Sequence, residues 1–118
     1  MSVQTRGQVM AQAAYARIAE RAKHEAGRKE YRSFAREFPT LVHQCGLAQA
    51  SAFALAKGGQ QEQYLGDLAA VLGVETAGEV GRLSREKPLE TYVRLSRDSL
   101  LAAVWLKRYV EALFPEEK

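Results

Sequence analysis

The sequence predicts an all-α protein, a single compact bundle of about six helices with a long C-terminal helix. Three observations carry this expectation. Apolar residues recur at helical intervals, whereas sustained alternation of β-branched and polar residues is missing, as is any Asn-Gly or Asp-Gly hairpin turn. The composition, 47% apolar and 26% charged with three prolines, is that of a globular chain. A length of 118 residues suffices for one modest core and is too short for two, so residues 1–118 are read as a single helical domain.

The first helix is expected to begin near Thr5, where Thr5 and Gln8 have capping-box spacing. Its buried stripe is read as Ala11, Tyr15, Ile18 and Ala22, and Gly27 is its stop. A second helix takes up Arg28 to about Glu37 and buries Tyr31, Phe34, Ala35 and Phe38. Pro39 is expected to push Phe38 out of helical geometry and to open a short third helix ending at Gly46. Leu47 to Lys57, with five alanines among Leu47, Phe53 and Leu55, reads as a central buried helix capped by Gly58 and Gly59. A further helix runs from about Gln60 to Leu72 and closes at Gly73; Thr76 and Glu79 open a short one. Pro88 then starts the longest helix, which extends through Leu113 and ends at Pro115.

The formal charge of +3 is unevenly spread. Residues 1–59 hold nine basic and four acidic groups, and residues 60–118 hold eight and ten, so one face could attract a polyanion while another meets a protein. The N-terminal MSVQTRGQ has no apolar run for a signal peptide, and the longest apolar run, Leu100 to Leu106, is far short of a membrane span. A cytoplasmic protein with no membrane partner is expected. Cys45, the single cysteine, excludes an internal disulfide and reads as a small apolar residue.

Catalytic chemistry has no visible signature. His24 and His43 stand apart from any carboxylate pair, and His43 with Cys45 is too little for a zinc site. A nucleophile elbow, a phosphate-cradling glycine loop and a DxD pair are all missing, so neither an enzyme nor a metal, cofactor or small-molecule substrate is expected. The positive signal is Arg28, Arg32 and Arg36, at i, i+4 and i+8 on one helix with Lys29 beside them. Their guanidiniums would stand about 6 Å apart along the axis, an interval suited to successive backbone phosphates. The same row could instead be a solvated face paired with Glu30 and Glu37, or meet an acidic protein with no RNA involved. On the last helix, Leu101 and Trp105 fall opposite the apolar sector among Arg94, Arg97 and Arg108, an arrangement that suits either a protein interface or an enclosed helix.

Three segments together resemble one family. They are YRSFAREFPTLVHQCGLAQASAFALAKG from Tyr31 to Gly58, the alanine-rich opening helix with Ala14-Tyr15, and the C-terminal helix with Trp105-Leu106-Lys107-Arg108-Tyr109. Pro39-Thr40, Gly46-Leu47, Phe53 and Lys57-Gly58 follow in the order found in the small helical subunit of the Cmr, or type III-B, CRISPR effector complex. Cys45 and Ala48 depart from the asparagine and glycine common there, which touches only the local turn. The resemblance implies a non-catalytic subunit, partnered by the other subunits of that complex, that stacks along it and helps to hold target RNA against guide RNA in antiviral defence. On that reading Arg28, Lys29, Arg32 and Arg36, with Lys57, Arg94 and Arg97, face RNA, and Leu101, Trp105 and Arg108 meet a neighbouring subunit.

Overall fold

A computed structural model describes residues 3–116, and every regular element among them is helical. These are α1 (Arg6–Ala22), α2 (Arg28–Lys57), α3 (Gly59–Leu72), α4 (Ala77–Glu86) and α5 (Leu89–Leu113). The count is five where the sequence suggests about six, because Pro39 does not divide α2 and the two arms that meet at Gly46 are numbered as one element. Phe38 stays helical and fully buried, and Phe34, Ala35, Phe38 and Val42 continue one buried stripe across the proline. That packing outweighs the single backbone hydrogen bond that proline removes.

The real interruption is Gly46, whose φ of 85° and ψ of 161° lie where only glycine is at ease. In a straight helix Phe34 and Phe53 would be about 28 Å apart. Their rings instead stack at 6.2 Å, so residues 47–57 fold back along residues 28–45 as the second arm of a helical hairpin. Tyr92 of α5 closes the corner, its hydroxyl accepting the Ala48 backbone N–H at 3.4 Å.

The hairpin packs against α3, α4 and α5, and α1 lies across α3 and α5, giving a slab of 44 × 42 × 22 Å. At a helix diameter of about 10–12 Å, the short dimension is two layers. Between the layers Tyr31, Phe34, Phe38 and Tyr64 form an aromatic centre with ring separations of 5.1–5.7 Å, and Phe114 joins it against Tyr31 at 5.8 Å. The Thr5 cap forms as expected: Thr5 Oγ1 accepts the Gln8 N–H at 3.1 Å and Gln8 Oε1 accepts the Thr5 N–H at 2.8 Å. Thr76 likewise accepts from the Glu79 N–H, but the Glu79 carboxylate turns to Arg82.

Three local expectations are corrected. α1 stops at Ala22 rather than Gly27, whose left-handed φ of 78° instead starts α2 against the Gln60 side chain. The buried face of α1 is Met10, Ala14 and Ile18, leaving Tyr15 half exposed with its ring edge-on to Tyr109 at 5.4 Å. Phe53 is 40% exposed, covering Phe34 from outside rather than sitting in the core.

Candidate functional site

The basic segment opens α2, and the structure does not present its three arginines as equals. Arg28 is half-buried and donates from Nη1 to the Ala22 carbonyl at 3.3 Å. Arg32 is only 6% exposed; it donates to the Pro115 carbonyl and its guanidinium lies 5.7 Å over the Phe114 ring. Arg36 and Lys29 are exposed. Helical geometry explains the difference. Four-residue steps drift by about 40°, so Arg28 and Arg32 turn toward the end of α5 while Arg36 swings outward. Lys29 and Arg36, seven residues apart, share an open face and stand about 10 Å apart along the axis. With Ser33 and Glu37 they line a shallow groove. The row of three equivalent guanidiniums expected from the spacing is thus corrected to two outward cations flanked by the partly covered Arg28.

Lys57 returns to the same end of the molecule. The fold-back at Gly46 sets its ammonium 5.7 Å over the Phe53 ring, which stacks on Phe34, while Gly27 abuts Gln60 three residues beyond Lys57. Arg94 and Arg97 are not brought to this end. Arg32 meets Pro115 and Ala48 at the corner meets Tyr92, so the first arm of α2 runs antiparallel to α5, and Arg97 lies about 25 Å along α5 from Phe114. There Arg94 and Arg97 line a separate cleft with Leu89, Glu90 and Val93.

The outer face of α5 presents Leu101 at 51% exposure, Val104 at 41% and the exposed Arg108. Trp105 is half-buried, packed on the core and stacked on Tyr109 at 5.8 Å. Val104 belongs to the patch that Leu101 and Trp105 suggested; its signal was a position three residues beyond Leu101. Among the described residues, no group of three His, Cys, Asp or Glu side chains could hold a metal ion, and no helix is long and apolar enough to cross a membrane. The Cys45 thiol is engaged with the Leu41 carbonyl at 3.1 Å, and His24 lies 3.6 Å from Glu20.

One polar cluster escaped the sequence reading. Asp67 of α3 is fully buried, accepting from Arg17 Nε at 2.8 Å, Arg21 Nε at 2.8 Å and the Tyr31 hydroxyl at 2.6 Å. The hydrogen bond to Asp67 raises the Arg21 pKa, and burial, reinforced by Asp67, pushes Tyr31 well above the ordinary phenol value. This cluster ties α1, α2 and α3 together beneath the basic end. Nothing in it touches the groove of Lys29 and Arg36.

Comparison with known proteins agrees along nearly the whole chain. A sequence model of the family described as CRISPR-associated protein (Cas_Cmr5) matches residues 6–113. The CRISPR system Cmr subunit Cmr5 of Thermus thermophilus is 47% identical over 115 residues, spanning 97% of this chain and all of the relative. The crystal structure of a CRISPR-associated Cmr5 family protein from the same organism superposes with a TM-score of 0.90 at 46% identity, covering 95% of this chain and all of that one. A match that takes in the basic opening of α2, the hairpin and the long α5 leaves one assignment: the chain belongs to the Cmr5 family, the small helical subunits of the Cmr CRISPR effector complex.

Proposed function

We propose that the chain is a non-catalytic structural subunit of a type III-B ribonucleoprotein, acting in the cytoplasm beside the other Cmr subunits and helping to hold target RNA against guide RNA in antiviral defence. The observation that carries this reading is the outward pair Lys29 and Arg36 at the basic end of a family member, beside a cluster of Arg17, Arg21 and Asp67 that is satisfied internally. Cations about 10 Å apart along a helix can contact alternate phosphates of a strand without reading its bases. Arg28 and Lys57 flank them, Arg32 orients the helix from beneath, and Arg94 and Arg97 form a second RNA contact at the far end of α5. Few phosphate contacts bind weakly alone, so the surface works where partner surfaces complete the groove.

Replacing Arg28, Lys29 and Arg36 together by glutamate should weaken target-RNA capture by the reconstituted complex. It should also flatten the salt dependence, reducing the slope of log affinity against log salt by about 2, at roughly 0.7 per single-strand phosphate contact. Capture and slope matching the wild-type complex would end this assignment.

Leu101, Trp105 and Arg108, joined by Val104, form the face toward a neighbouring subunit. An apolar centre rimmed by arginine is the composition of a protein contact, and the flanking cations favour an acidic neighbour. Leu101→Asp, made at an exposed position, should leave the melting temperature almost unchanged and cut incorporation into the complex several-fold. Undiminished incorporation, measured by co-purification with the other subunits, would remove the contact from this face.

A further inference from the structure

The end of α5 returns over the opening of α2. Phe114 is anchored in the aromatic centre against Tyr31, and the Arg32 guanidinium covers its ring while bonding the next carbonyl, that of Pro115. The chain is thereby directed across the basic face. Glu116 lines one cleft with Arg28, Lys29 and Arg32, and a second with Arg32, Arg36 and Glu111. A carboxylate carries the charge and acceptor oxygens that arginine grips in a phosphate. It stands here among the cations assigned to RNA.

We infer that the Pro115–Glu116 strap is an intramolecular competitor for the polyanion: Glu116 occupies a phosphodiester subsite on the basic end of α2, and RNA must displace it to engage Arg28 and Arg36. The inference rests on the reading of that face as RNA-binding. Its physical consequence is selective. A short internal anion loses to a strand held in place by the whole complex and its many contacts, but it suppresses capture of stray RNA, whose few phosphates compete poorly. The Phe114 anchor makes the strap local, so removing its charge should act without disturbing the core.

The test uses the full-length protein and a short labelled single-stranded RNA at low ionic strength, read by fluorescence anisotropy. Glu116→Gln should bind about threefold more tightly than wild type, the scale of one exposed charge–charge interaction. Glu75→Gln removes the same charge from an exposed position outside both clefts and should bind as wild type does. Equal affinities for Glu116→Gln and Glu75→Gln overturn the strap. The double variant Lys29→Glu/Arg36→Glu separates the two ideas: if it binds RNA as well as wild type, the basic face itself is the wrong surface, whatever Glu116 does. Absence of binding by wild type and Glu116→Gln alike would overturn the strap, since removing its charge would then uncover no site; the basic face itself stands or falls with target-RNA capture by the reconstituted complex.

Discussion

Gly46→Ala is expected to destabilise the protein by about 3 kcal/mol, which for a domain of this size lowers the melting temperature by roughly 10–15 °C. Two costs combine. The backbone at φ 85°, ψ 161° is strained for any residue with a Cβ, at about 1–3 kcal/mol, and an alanine Cβ would stand 3.1 Å from the Tyr92 hydroxyl. Relieving that approach moves the hydroxyl from the Ala48 N–H, leaving the second arm of α2 without this cap. Alanine also favours the straight helix, in which Phe34 and Phe53 part and the face they cover opens. Gly66→Ala is the control, since a Cβ there meets nothing within 4 Å and an ordinary helical φ is kept; it should be neutral or stabilising by a few tenths to about 1 kcal/mol. Thermal unfolding of both variants decides the matter: equal stabilities would show that the reversal at Gly46 does not require glycine.

The same corner shows what could be read from the sequence and what could not. Caps and periodicity are local, and they placed Thr5, Gly73, Thr76, Pro88 and the buried run of Tyr31, Phe34, Ala35 and Phe38 correctly. Proline and glycine at Pro39 and Gly46 both announce an interruption, and choosing between them needs the tertiary partners: Phe38 and Val42 hold one straight, and Tyr92 locks the other bent. The phase of α1 differs from the sequence expectation because alanines on both sides of Tyr15 make two apolar stripes nearly equivalent, and only packing against α3 and α5 together selects Met10, Ala14 and Ile18 as the buried one. For the candidate site, spacing picked out the basic opening of α2 and counted its cations. It could not foresee that Phe114 and Pro115, more than eighty residues away, take up Arg32 and bring Glu116 to its neighbours. Contacts of that sequence separation leave no periodic trace.

The cluster at Asp67 is the other long-range feature, and its removal should have an effect of similar size. Asp67→Ala is expected to cost about 3 kcal/mol, because breaking a buried charged network by deleting one member strands the others. Arg17 is nearly half exposed and Arg21 a quarter, so water can resolvate much of their charge; the loss falls chiefly on the Tyr31 hydroxyl, which is enclosed. The three partners act as a unit, so the costs should not add. Tyr31→Phe alone should cost about 1 kcal/mol, and in the Asp67→Ala background it should cost nothing or restore stability, since the stranded hydroxyl is gone. The sign of the pH response follows from Tyr31, whose ionisation is pushed up in the fold by burial and by Asp67. Its contribution is intact below the unfolded phenol value and declines as the unfolded chain ionises, so stability should fall above pH about 10, less steeply in Tyr31→Phe. Denaturant unfolding of the two single variants and the double decides between a coupled network and independent contacts. Strictly additive costs would show that Asp67 holds its arginines and Tyr31 separately, and the aromatic centre would then owe its position to packing alone.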